Sequence, residues 1–184
     1  SENQEPFEIG DLLFERIVGR NVLQKHVDKA AFLEILKSWI LPEGFFVFGE
    51  TVPALCQRLS DLIPKELIDY EFLRTLKTAE EEIYHDSAIT RSNWTPSTLR
   101  DELESANWDI RRWQVKEFST KTVIPTKQIE QWFPAPLDSP HSSYAQHLSK
   151  HFTPEQLTEL QDTFRREVAG KVVDWRSVIL FMQL

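Results

Sequence analysis

Two short apolar runs flank one amphipathic stretch near the start of the chain, and this arrangement restricts the fold more than any other feature. Phe14-Glu15-Arg16-Ile17-Val18 precedes Gly19-Arg20-Asn21, and Phe45-Phe46-Val47-Phe48 precedes Gly49-Glu50-Thr51. Runs rich in Phe, Val and Ile that stop at Gly and polar residues read as strands. Between them Asp28 is a good N-cap, and Phe32, Ile35, Leu36, Trp39 and Ile40 follow the helical period. Strand, helix, strand predicts a parallel pair joined by a crossover helix. Leu41-Pro42-Glu43-Gly44 is the expected turn between helix and second strand. In open α/β sheets ligands are met at the carboxyl ends of strands. Arg20, Asn21, Glu50 and Thr51 are therefore the candidate edge for a ligand or partner. Arg20 and Glu50 are expected to pair there, or together to orient a polar ligand.

The next segments read mainly as helices. Val52 to Ile63 carries one apolar face, and Pro64 opens a second helix to about Tyr84 with Phe72, Leu76, Ala79 and Ile83 as its stripe. Glu80-Glu81-Glu82 reads as a solvated face. Thr95-Pro96 caps a helix whose inner face is Leu99, Leu103 and Ala106. From Trp108 the period changes to alternation, with a break at Arg111-Arg112. That predicts a bulged strand to about Lys116, turning at Phe118 to Thr120 into an antiparallel partner over Lys121 to Ile124. Pro125-Thr126 starts a short helix ending at Trp132-Phe133. Residues 134–140 hold three prolines and read as a stiff connector. Ser143 to His151 and a helix capped by Thr153-Pro154-Glu155-Gln156 follow, and Gly170 stops the latter. Val172 to Leu184 is a last apolar helix or strand.

The expected fold class is α/β: a partial Rossmann-like sheet with a late antiparallel hairpin and added C-terminal helices. The expected division is residues 1–133 as an α/β half-domain, 134–142 as the proline-rich connector, and 143–184 as a helical segment packed on it.

The 184 residues suffice for one sizeable core. With 29 acidic against 21 basic residues, a net charge of -8, a broad nucleic-acid surface is disfavoured. Weak or no duplex DNA binding is expected. Cys56 is the only cysteine, so no internal disulfide forms, and an intracellular, cytoplasmic setting fits. No run is long and apolar enough to span a membrane. The chain opens Ser1-Glu2-Asn3 and its one methionine is Met182, which reads as a piece of a longer polypeptide.

Chemistry-bearing motifs are sparse. No Gly-x-Gly pair exists, so no phosphate loop and no ATP site of the Walker kind is expected. No Gly-x-Ser-x-Gly elbow occurs. His147 and His151 have a zinc-compatible spacing but lack the Glu of a metalloprotease helix, and no metal site or catalytic residue is expected. Cys56 reads as core. Of the six tryptophans most read as packing, with Trp132 left open as a recognition residue beside the proline stretch. Asn21, following a strand, is either a residue facing a transferred methyl or acceptor group, or a turn residue bonded to its own backbone.

Two resemblances follow from these residues. The order of elements, with Leu41-Pro42-Glu43-Gly44-Phe45 close to a leucine-x-proline-glycine-glycine pattern, resembles the second half of a class I S-adenosylmethionine-dependent methyltransferase. Glu43 stands where that family usually has glycine. The family's first strand, glycine-rich cofactor loop and acidic residue after its second strand have no counterpart here. This resemblance implies a cofactor-binding half upstream. The chain also resembles the C-terminal extension of long bacterial replication-associated recombination protein A, an AAA+ ATPase family. The likeness lies in Ile17 to Asn21, Gln57-Arg58-Leu59, Ala79 to Tyr84, Gln131-Trp132-Phe133, Ser143-Tyr144-Ala145 and Val173 to Val178. It implies a non-catalytic accessory domain, for partner contact or positioning, of an ATPase acting in replication-fork recombination and repair. ATP and Mg would belong to the parent, with none in this piece. The implied partners are the rest of that protein and replication or recombination proteins.

Overall fold

A computed structural model describes residues 12–86, 89, 92–133 and 143–184. The proline-rich connector at 134–142 lies outside the described residues. The fold is α/β. Four strands, β1 (Phe14–Arg20), β2 (Ile40–Thr51), β3 (Arg112–Val123) and β4 (Val172–Gln183), form one sheet in the order β1-β2-β4-β3. β1 and β2 are parallel, linked by α1 (Lys29–Lys37), as the apolar–helical–apolar pattern predicts. The Asp28 side chain accepts from the Ala31 N–H at 2.7 Å and starts α1. β4 is antiparallel to both β2 and β3.

The remaining helices are α2 (Tyr70–His85), α3 (Pro96–Ser105), α4 (Thr126–Trp132), α5 (Tyr144–Leu148) and α6 (Pro154–Glu167). They sort into two cores. Leu33 and Leu36 of α1 and Leu99 and Leu103 of α3 pack on Phe46, Phe48, Leu180 and Met182, which share one face of the sheet. Leu76, Ile129, Leu148, Leu160 and Phe164, from α2, α4, α5 and α6, form a second core around Ile124 and Val168. Among the described residues no helix is long and apolar enough to cross a membrane.

Several sequence expectations change. Leu41-Pro42-Glu43-Gly44 is the first part of β2, not a turn. Its pairing with β1 is irregular between Phe14 and Arg16, an offset that tolerates a proline without an N–H. Gly44 is required there, because a Cβ would lie 2.5 Å from Ile40 Cγ1 and 2.9 Å from the Glu15 carbonyl oxygen. Val52 to Ile63 forms two short 3-10 turns, Pro53–Leu55 and Leu59–Leu62. The Arg58 guanidinium accounts for this. It donates to the carbonyls of Pro53, Ala54 and Cys56 at 2.7–3.2 Å, taking acceptors a helix would have used. Pro64 does not open α2, which begins after Asp69, whose carboxylate accepts from the Glu71 and Phe72 N–H groups.

The expected turn at Phe118 to Thr120 is absent. β3 runs unbroken to Val123, and its partner is β4, so the late antiparallel pair is closed by α4, α5 and α6 rather than by a tight turn. Ser119-Thr120 carries no residue suited to positive φ, which a two-residue hairpin demands. Trp108-Asp109-Ile110 precedes the strand. Asn107, at φ 59°, ends α3, and the Trp108 N–H bonds back to the Leu103 carbonyl at 3.0 Å. Residues 143–184 are not wholly helical, since β4 lies inside the sheet between β2 and β3.

Gly19 on β1 faces Phe48, whose ring would stand 2.7 Å from an added Cβ, with Val22 at 2.9 Å. Gly19→Ala is expected to destabilise by roughly 1–3 kcal/mol, the usual range for overpacking a core. Chemical denaturation should show it, and a midpoint equal to wild type would contradict the packing described.

Candidate functional site at the sheet edge

The four candidate residues do meet at the carboxyl ends of β1 and β2, but not in the expected arrangement. β1 hands over to Asn21, which adopts φ 53°. Its N–H donates to the Gly49 carbonyl at 3.0 Å. Its Oδ1 accepts from the Thr51 N–H at 2.8 Å. Asn21 thus binds the end of the neighbouring strand rather than its own backbone. Asn tolerates the left-handed region better than most residues. Asn21→Gly should lose only the Thr51 bond, about 1 kcal/mol. Asn21→Ala should lose that bond and also bear the left-handed cost, together roughly 2–3 kcal/mol. Thermal melts of the two variants check this ordering; Ala matching or exceeding Gly would refute it.

Glu50 does not pair with Arg20. It is 0% exposed, and its Oε1 accepts from the Val22 N–H at 2.8 Å and the Leu23 N–H at 3.2 Å. Its Oε2 is buried with no partner among the described residues. Burial raises the Glu50 carboxyl above the ordinary value; the backbone donors of Val22, Leu23 and Gln24 and the charge of Lys29 pull the other way. Arg20 is exposed and makes no ion pair among the described residues. Lys29 is buried, and its Nζ donates to the His26 carbonyl at 3.3 Å. The His26 ring stacks on Phe32 with centroids 3.6 Å apart, and burial, with Lys25 and Lys29 nearby, lowers its pKa. Asn21, Glu50 and Thr51 therefore brace the two strand ends, while Arg20 is the group that this edge presents outward.

A second polar cluster was not legible as a site. Glu80 of α2 is 2% exposed, which corrects the solvated-face reading for this residue. It accepts from the Ser60 N–H at 3.0 Å, from the Ser60 hydroxyl, and from the Tyr144 hydroxyl at 2.7 Å. Burial raises the Glu80 carboxyl, against hydrogen bonds from Ser60 and Tyr144 that lower it. Burial, followed by the charge of Glu80, raises the Tyr144 phenol well above its usual value. Beside it, Arg58 stacks 3.8 Å from the Tyr84 ring and bonds Glu81 at 2.7 and 3.0 Å. Glu82 meets His151 at 2.8 Å. The signal was the spacing: Glu80 lies four residues after Leu76 and three before Ile83, on the apolar stripe. Its partners, 20 and 64 residues away in sequence, gave none. Every polar atom named in this cluster is held by a neighbour, so its evident role is to fasten the turn before α2 to α2 and α5.

Among the described residues no group of three or more potential metal ligands comes together. His147 is lowered by burial, with Lys150 acting in the same direction. Cys56 is half-buried, its thiol donating to the Val52 carbonyl at 3.2 Å. Trp132 packs edge-on against Phe164, centroids 5.7 Å apart, as part of the second core.

No family model matches the chain, and no curated protein does. Solved structures with a similar arrangement include a protein from Bacillus halodurans C-125 named as a methyltransferase. It is 13% identical, with a TM-score of 0.43 over 94% of this chain and 70% of that one. A cyclopropane-fatty-acyl-phospholipid synthase-like protein from Lactobacillus casei ATCC 334 is 12% identical, with a TM-score of 0.33 over 95% of this chain and 57% of that one. At these values neither likeness assigns a ligand or a reaction to this chain.

The space beside Gly19 is filled by Phe48 and Val22, and Gly44 is crowded by Ile40 and backbone, whereas a Cβ at Gly49 would meet only the Phe181 ring at ordinary contact distance. Gly170, at φ 71°, ends α6.

Proposed function

We propose that the chain is the distal half of an S-adenosylmethionine-dependent methyltransferase-like domain, completed by a cofactor-binding half outside these residues. The observation that carries this reading is β1. It is parallel to β2 along one edge, has no strand on its other edge among the described residues, and leaves Phe14 and Val18 exposed, as are Leu12 and Leu13 just before it. A parallel strand at an open edge, with apolar side chains uncovered, is the form of a sheet awaiting further strands. In the completed domain, Asn21, Glu50 and Thr51 would hold the loops at the carboxyl ends of β1 and β2. No step through the cofactor is assigned to these residues. The test is calorimetric titration of S-adenosylmethionine. The isolated chain is expected to give no binding, and a longer polypeptide with the preceding sequence is expected to bind. Micromolar binding by the isolated chain, or none by the longer one, would contradict the proposal.

A second reading is an accessory module of a replication-associated recombination ATPase. Segments that carry that resemblance converge in space: Arg58 stacks on Tyr84, Glu80 bonds Tyr144, and the Gln57 side chain accepts from the Arg176 N–H at 2.8 Å. ATP hydrolysis by the longer polypeptide would favour this reading. Under either reading the isolated chain, at a net charge of -8, is expected to bind duplex DNA weakly or not at all at physiological salt. Sub-micromolar binding by fluorescence anisotropy would contradict that.

A further inference from the structure

The helices α1 and α3 cover one face of the sheet. The other face is open at Val18 and Phe181, whereas at the start of β4 Val173 packs against the second core. The register puts Phe45 and Val47 of β2 on the same open face as Phe181 and Ile179 of β4, with Val47 opposite Gln183 and Gly49 opposite Phe181. β1 contributes Arg16, Val18 and Arg20 to it, and Val18 is 75% exposed. β3 contributes Arg112, Gln114, Lys116 and Phe118. Arg16 lies over the Phe45 ring at 5.3 Å, and Phe118 meets Phe181 edge-on at 6.2 Å, as residues sharing a face must.

Charge is segregated here. In a chain with an excess of acids, the pleat brings four cations to this face and no carboxylate from β1, β3, β4 or the stretch of β2 after Gly44. The cations stand on the two outer strands, and the two inner strands give an apolar floor. Outer strands three spacings apart are separated by ~14 Å, and an α-helix with its side chains is about 10–12 Å wide. One helix therefore fits between the two rows. An apolar stripe would meet Val47 and Phe181, and carboxylates on both flanks would meet Arg16 and Arg20 on one side and Arg112 and Lys116 on the other. Phe45-Phe46-Val47-Phe48, apolar on both sides of the strand, is also the pattern of a strand covered on both faces. A nucleic-acid strand is less well matched. The floor is partly aliphatic, and Phe118 and Phe181 engage each other rather than standing as stacking platforms.

We infer that this face docks an amphipathic α-helix with an apolar stripe flanked on both sides by acidic residues. Its source is the half that completes the sheet along β1, so the inference rests on the proposed function above. The probes are two labelled helical peptides with the same leucine stripe, one flanked by Glu and one by Lys, followed by fluorescence anisotropy with the whole chain. The Glu-flanked peptide is expected to bind, to weaken with added salt, and to lose at least tenfold in affinity to the R112E/K116E variant. The Lys-flanked peptide is expected not to bind. Both cations are exposed, so the variant should melt as wild type does; Arg16→Glu, on the opposite row, gives an independent version. Equal binding of the two peptides, or no loss in any folded charge variant, would overturn the inference. So would competition by a single-stranded oligothymidylate that itself binds more tightly, or self-association of the chain abolished by the same variants. No S-adenosylmethionine enters this assay. Peptide binding without cofactor binding by the longer polypeptide would therefore leave the face standing and remove the methyltransferase reading, and the reverse would remove only the docking inference.

Discussion

Glu80→Ala is expected to destabilise the chain by at least 3 kcal/mol, since each buried donor left unpaired costs roughly 1–3 kcal/mol. The change strands the Ser60 N–H, the Ser60 hydroxyl and the Tyr144 hydroxyl, all of which now end on one carboxyl group. Ser60 belongs to the 3-10 turn before α2, and Tyr144 opens α5. The loss therefore loosens three elements at once. Tyr144 also packs edge-on on Phe133 and Phe164, so disorder there reaches the second core. Glu80→Gln keeps the volume and one carbonyl oxygen for the Ser60 N–H and Tyr144 hydroxyl, while its amide can donate to the Ser60 oxygen. Its expected cost is about 1 kcal/mol, that of a rearranged hydrogen bond. Urea unfolding of both variants gives the comparison. Glu80→Ala within 1 kcal/mol of wild type would show that the cluster does not hold these elements together.

Glu50→Ala should cost roughly 2–4 kcal/mol at neutral pH, because the buried Leu23 N–H and the partly buried Val22 N–H lose their acceptor. The pH dependence is the sharper test. Burial raises the carboxyl in the folded protein, so between the ordinary value of 4.5 and the raised one the folded state holds more protons than the unfolded state. Stability from this group is then fully present below the ordinary value and falls as pH rises through the raised one. Glu50→Gln cannot ionise. The advantage of wild type over Glu50→Gln is therefore expected to be greatest below about pH 4.5 and to shrink as pH rises. Glu80 is raised in the same direction but is common to both proteins and cancels in the difference. A wild-type advantage that grew with pH would mean that the folded chain favours the charged carboxylate, with the backbone donors of Val22, Leu23 and Gln24, and the charge of Lys29, outweighing burial.

The parallel pair was legible because its information is local. Apolar runs, an Asp cap and the helical period lie within forty residues, and Asp28 and Thr95 do cap the helices predicted for them. The segment after Val52 misled because its apolar spacing suits a helix, whereas Arg58 binds the carbonyls that would have closed one. The antiparallel pair was legible in kind but not in partner. Alternation over Trp113 to Lys116 marks a strand, but nothing local shows that it pairs with residues 172–183, beyond three helices. At the sheet edge, strand ends placed the four candidate positions near one another, and the contacts expected among them were misjudged. Opposite charges suggested an Arg20–Glu50 pair, but in the fold backbone N–H groups reach the buried carboxylate while Arg20 points to solvent.

Amide hydrogen exchange along β1 tests the half-domain proposal most directly. In the isolated chain, β1 amides bonded to β2 are expected to be protected, and those on its outer edge to exchange freely. In the longer polypeptide the outer-edge amides from Phe14 to Arg20 are expected to become protected as a further strand pairs with them. Free exchange of those amides in a folded longer polypeptide would contradict the proposal.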